Sequence, residues 1–92
     1  MRRAARRDDN EWEIVAALRA AGCCVRFLNE PCDLLVGRNG ATVLLEVKDG
    51  NKPPSARKLT EREAEFHKEW NGGPLYVVHN VTEALDIIES LQ

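Results

Sequence analysis

Two carboxylates set face to face on neighbouring strands destabilise a sheet, yet the segment CDLLVGRNGATVLLEVK dictates such a pair. Asn39-Gly40 is a strong short hairpin signal, because a type I′ turn needs positive φ at both central positions. With these two as the turn, Arg38 pairs with Ala41 and Asp33 falls directly across from Glu46. Opposed residues have Cβ atoms about 4.5–5.5 Å apart, a separation at which like charges repel. A divalent cation between them would turn that repulsion into ligation. Side chains alternate along a strand, so Lys48 shares the face of Glu46 while Val47 points away. Glu11 precedes Ile14, Val15 and Leu18 by three, four and seven residues, which puts it on the apolar stripe of a first helix. An acid there is costly unless partnered; read alone, it is a first-turn acid interacting with the helix dipole.

Three acids and one lysine converging on one sheet face point to metal-assisted hydrolysis. Hard oxygen donors favour Mg2+ or Mn2+ over zinc. Such a cation polarises a phosphoryl oxygen and makes a bound water more acidic, while Lys48 would orient the nucleophile or offset transition-state charge.

The elements that must position these groups follow from local signals. A first helix has Asp9 or Asn10 as cap, Ile14, Ala17, Leu18 and Ala21 as its stripe, and Gly22 as its stop. A strand follows over about residues 24–28, Asn29-Glu30-Pro31 is a break, and the hairpin comes next. Pro53-Pro54 makes the loop before the second helix irregular. That helix starts at Thr60, with Glu63 completing a capping box, and runs to Trp70. Residues 75–79 form a strand, and Asn80 with Glu83 opens a last helix whose stripe is Ala84, Leu85, Ile88 and Leu91. The order is αβββαβα, an α/β fold with a mixed sheet of four strands flanked by helices. His67 and His79 are candidates for proton transfer, with packing the favoured role for both; Phe66 and Trp70 read as core, and Trp12 as an exposed aromatic suited to a dimer interface.

D-x12-E-x-K, spanning Asp33, Glu46 and Lys48, resembles the PD-(D/E)XK nuclease signature. More narrowly, NEWEIVAALRAAG, LLEVKDG, RKLTEREAEFHKEW and PLYVVHNVTEAL resemble the stand-alone VRR-NUC domains of phages and bacteria, over nearly the whole chain. The resemblance implies one nuclease domain over residues 1–92 with a restriction-endonuclease-like core, residues 1–8 being a flexible basic tail. It implies Mg2+ (or Mn2+) held by the Asp33 and Glu46 side chains and the Val47 backbone carbonyl. Lys48 would be the catalytic lysine, and Glu11 would support the metal or its waters. Stand-alone members act as homodimers on four-way junctions, so the implied activity is structure-selective cleavage of DNA, branched or duplex, by a homodimer. Two positions depart from the pattern. Cys32 stands where proline is usual, with Pro31 one place earlier, and Ala64 stands where the second helix often has glutamine, Glu63 being the nearest polar substitute.

Composition sets the outer bounds. At 92 residues, with 43% hydrophobic and 30% charged, the chain is one small globular domain without room for separate cofactor and substrate domains. No apolar run approaches the roughly 20 residues of a membrane span, so a cytoplasmic location, in a bacterial host or phage-encoded, is expected. Cys23, Cys24 and Cys32 offer neither a disulfide framework nor zinc-ligand spacing. A net charge of −2 excludes a general nucleic-acid coat. The basic groups cluster, however: Arg2, Arg3, Arg6 and Arg7 at the start, then Lys48, Lys52, Arg57 and Lys58 against Asp49. Lys52, Arg57, Lys58, Arg6 and Arg7 are candidate phosphate contacts, or else solvated charge. Two rivals stand beside the nuclease. One is a catalytically weak or inactive DNA-binding module, with Ala64 as its best evidence. The other is a fold unrelated to nucleic acid, in which Glu46 and Lys48 are a sheet-edge pair.

Overall fold

The computed structural model describes residues 8–91. Helix α1 spans Glu11–Ala20; strands β1, β2 and β3 span Cys24–Phe27, Leu34–Arg38 and Ala41–Val47. A short 3-10 turn over Pro54–Ala56 leads to α2 (Glu61–Glu69), then β4 (Leu75–Val78) and α3 (Val81–Ser90). The strands form one mixed sheet in the order β1-β2-β3-β4. The first three are antiparallel neighbours, whereas β4 returns parallel to β3 after the α2 crossover. This is the αβββαβα order expected from the local signals.

The hairpin register is the expected one. Arg38 pairs with Ala41 and Leu34 with Leu45, with Asn39 at φ 52° and Gly40 at φ 86° in the turn. Val36, Val43, Leu45 and Val47 therefore share one face with Val25, Leu34 and Val78. Ile14, Val15 and Leu18 of α1 and Ala84 and Ile88 of α3 cover that face and complete the core. All these core side chains are buried because strand alternation and the helical stripes select the same face. No helix among the described residues is long and apolar enough to cross a membrane.

Three details differ from the sequence-based expectation. Asn10 is the N-cap of α1, but its side chain does not cap the helix; its amide donates to the His79 carbonyl at 2.9 Å, tying α1 to the end of β4. The stripe of α1 uses Val15 rather than Ala21, which is exposed. Phe66 and Trp70 lie outside the core: α2 buries no residue fully, and the two rings stack on each other at 5.3 Å with Trp70 left 39% exposed. A helix with the sequence EREAEFHKE carries one large apolar side chain and cannot seal a core. Leu35, on the sheet's second face, remains exposed.

Gly50 fixes how β3 leaves the sheet. Its N–H donates to the His79 carbonyl at 3.0 Å, and a Cβ there would meet the same oxygen at 2.9 Å. Gly50→Ala must push the loop away from β4, so we expect a loss of about 1–3 kcal/mol, read as a lower midpoint in urea unfolding with an unchanged m-value.

Candidate functional site

Asp33 sits just before β2 and is held from both sides. Its carbonyl accepts the Leu28 N–H at 2.7 Å, closing the loop after β1, and its Oδ2 accepts the Val47 N–H at 2.8 Å. Since Leu34 points into the core, the Asp33 side chain lies on the opposite face, beside Glu46. Glu46 is 2% exposed. Burial, then the hydrogen bond and charge of Asp33, then Glu63, push its carboxyl from an ordinary 4.5 up to about 9. The face-to-face acids are thus under the electrostatic stress that the register implies.

Helix α2 supplies the groups above them. Thr60 caps α2 through a complete capping box with Glu63. The same Glu63 Oε1 that accepts the Thr60 N–H (2.8 Å) also accepts Lys48 Nζ at 2.7 Å. Burial works against the Lys48 ammonium, but the hydrogen bond and charge of Glu63 outweigh it and raise its pKa. Glu63 is pushed up by burial and pulled down further by Lys48 and the Thr60 amide, so its carboxyl stays ionised. One turn on, His67 Nε2 lies 4.0 Å from Glu46 Oε1, and burial lowers its pKa. Between α2 and the start of β2 runs a cleft of about 360 Å3, lined among others by Asp33, Glu46, Glu63 and Phe66. The buried thiol of Cys32 also lines it and is pushed up to about 11 by burial, with Glu46 and Asp33 adding to it, so it is no nucleophile.

Asp33, Glu46 and Lys48 are therefore brought together as the spacing requires. Glu11 is buried (1% exposed), as its place on the stripe demands, but it belongs to the α1 layer on the other side of the sheet and does not line the cleft. The start of α1 does reach the end of β3. Asp8, counted with the basic tail, accepts the Asp49 N–H and Lys52 Nζ, both at 3.2 Å. Lys52 thus has an acidic partner, Lys58 is exposed, and Arg57 is half-buried with an Nε that lacks a hydrogen-bond partner among the described residues. Arg6 and Arg7 lie outside the described residues. Glu63 and His67 also lie beside Lys48 and Glu46, where sequence reasoning favoured a cap (or a polar stand-in for the glutamine) and a packing residue. Their i, i+4 spacing on a helix next to the E-x-K strand is the signal that could have found them. Ala64 is exposed and faces away, so the polar contact to Lys48 comes from the residue before it.

No family model matches the chain, and no curated protein does. A solved structure described as "VRR_NUC domain" matches over 92% of this chain and 100% of that one, with a TM-score of 0.62 and 22% identity. The chain has the fold of a VRR_NUC domain. Its mixed sheet and three helices are those of the restriction-endonuclease-like class.

The donor set suits a hard cation. No group of three or more His, Cys, Asp or Glu side chains among the described residues makes a metal cage. Mg2+ does not need one, since it commonly takes one or two carboxylates and keeps several waters. Asp33 and Glu46 supply two carboxylates, and Glu46 Oε1 is buried without a hydrogen-bond partner among the described residues.

A stability signature follows. Below about pH 4 Glu46 is protonated in both states. As pH rises past the ordinary 4.5 the unfolded chain ionises first, so the metal-free protein loses stability progressively until about pH 9. Melting curves in EDTA should show this fall, and Glu46→Gln should flatten it and melt higher than the parent near pH 8. Added Mg2+ should raise the melting temperature of the parent and not of Glu46→Gln.

Proposed function

We propose that this chain is a Mg2+- or Mn2+-dependent DNA endonuclease that cleaves branched DNA as a homodimer. The observation that carries the reading is the Asp33–Glu46 pair. Two acids stand on one face at the end of the hairpin, where the ionised form of Glu46 is disfavoured, with Lys48 two residues on and a cleft beside them. The shared fold with a structure described as a VRR_NUC domain supports it.

Asp33 and Glu46 would hold the cation by their side chains, with the Val47 carbonyl beside them. A bound cation supplies polarisation of a phosphoryl oxygen and a more acidic water. The chain's own groups do the rest. The Val47 amide fixes the Asp33 carboxylate, so that the ligand does not reorganise on binding. Lys48, kept charged and aimed by Glu63, lies on the Glu46 face, where negative charge develops as the phosphodiester is attacked. Lys52, Arg57 and Lys58 follow on the loop after β3 and would contact backbone phosphates. Glu11 stands buried in the first turn of α1. Trp12, 64% exposed and resting on Phe27 at 4.7 Å, would offer apolar surface to a second copy.

A DNA-binding module without catalysis is the second reading. The observation favouring it is the 2.7 Å Lys48–Glu63 pair, which occupies the lysine that chemistry would need.

The test is incubation of a synthetic four-way junction and a matched linear duplex with Mg2+ or Mn2+. We expect cuts in the junction in preference to the duplex, abolished by EDTA and slowed about 100-fold or more by Lys48→Ala. Tight junction binding without cutting selects the module, and neither binding nor cutting rejects both. A sedimentation profile of a monomer at assay concentration rejects the homodimer alone.

A further inference from the structure

Phe66 on α2 and Trp70 at its C-cap are four residues apart and so lie on one side of the helix. The core does not account for them, because α2 buries no residue fully. Trp70 is nevertheless fixed. Its Nε1 donates to the Gly73 carbonyl at 2.7 Å, and its ring packs on Phe66 at 5.3 Å. Gly72 lies so close that a Cβ there would run into the indole. The Asn71-Gly72-Gly73-Pro74 turn thus does more than end the helix: it cradles the indole, which backs the Phe66 ring. Phe66 in turn lines the cleft that holds Asp33 and Glu46. A fixed aromatic ring outside the core, walling a polar cleft, is a surface on which another flat ring can stack.

The charge around the ring selects what stacks there. Glu65 and Glu69 also line the cleft, and they would repel a phosphate brought against Phe66. A nucleobase carries no charge, offers a π face, and presents amino groups that carboxylates accept. The apolar patch is one ring backed by another and rimmed by the exposed Glu65, Lys68 and Glu69. That is too small and too charged for the face of a second copy, since stable interfaces bury about 800 Å2 per partner.

We propose that Phe66, backed by Trp70, is a stacking site for one unpaired nucleobase of the DNA substrate, beside the Asp33–Glu46 pair. This rests on the DNA half of the function proposed above and deepens it. The site takes a strand whose base at that position is out of the duplex, as at a branch. The phosphates of that strand lie toward Lys48 and the loop that follows it. In a continuous duplex the bases present only their edges in the grooves, so the ring reads branching rather than sequence. Phe66 binds the substrate and takes no part in bond breaking.

The test compares binding of two short single strands in EDTA, where nothing is cut. One is an oligodeoxycytidylate, the other a deoxyribose-phosphate oligomer of the same length without bases. The intact chain should bind the base-bearing strand about 10-fold more tightly, as expected for one base on one aromatic ring. Phe66→Leu keeps the apolar bulk and removes the π face. It should erase the preference and leave the melting temperature little changed, because Phe66 lies outside the core, whereas Phe66→Tyr should keep the preference. Equal affinity of the parent for the two strands, or a preference that survives in Phe66→Leu, overturns the proposal. So does a Phe66→Leu protein that sediments differently without DNA, which would assign the ring to contact between copies. Base-dependent binding by a protein that cuts no junction keeps the stacking site and defeats the nuclease. Junction cleavage by a protein without base preference does the reverse.

Discussion

Everything at this site depends on a two-residue turn. Asn39 and Gly40 both take positive φ, and that sets the register in which Asp33 stands across from Glu46. A one-residue slip would send every side chain of β3 to the other face. Glu46 and Lys48 would then enter the core, and Val43, Leu45 and Val47 would face the cleft. The apolar pattern of the strand and the positions of its charged groups are thus the same constraint seen from two faces. The hydrophobic core enforces the register, and the register brings the acids together.

The sheet uses its faces unequally. One is sealed by α1 and α3 and carries the whole core, while the other meets α2, which buries no residue fully. The fold can therefore hold a poorly neutralised carboxyl pair without exposing its core to the consequences. The burden falls on α2, and Glu63 links the folding of that helix to the site. One carboxylate both completes the capping box of α2 and pairs with Lys48. When α2 is capped, the lysine is oriented, and when Lys48 is charged, the carboxylate that caps the helix stays ionised. Each group's protonation supports the other's role, which explains why the pair lies at 2.7 Å in a partly buried setting.

Legibility in the sequence followed the range of the interaction. Caps, turns and the hairpin register are local, and the element order and the Asp33–Glu46–Lys48 set came from them directly. Glu63 was legible as a cap because Thr60 lies three residues before it, but its contact with Lys48 is set by how α2 docks. No periodicity reports that when a helix has no apolar stripe. The same gap misplaced Phe66 and Trp70: four apart, they look like a core pair, and they do stack, but on a helix that never enters the core. His67 was read as packing for want of any signal that Glu46 stands opposite. Glu11 was read correctly as buried, while the layer it occupies depended on which face of the sheet α1 covers.

Stability and chemistry pull on Glu46 in opposite directions. With its carboxyl pushed up to about 9, the metal-free site is neutral there at physiological pH, and the burial that protects the core is also what raises it. Replacing the acid by an amide would relieve the repulsion and remove the carboxylate that meets Asp33 and lies 4.0 Å from His67. A residue that weakens the fold it stands in, at a position where Leu or Val would serve the strand equally well, is not explained by what it packs against. The same reasoning separates Glu46 from Glu63. Glu63 is ionised, satisfied and part of a helix cap, so the fold accounts for it without any ligand. Glu46 has no such account, since its Oε1 is buried without a hydrogen-bond partner among the described residues.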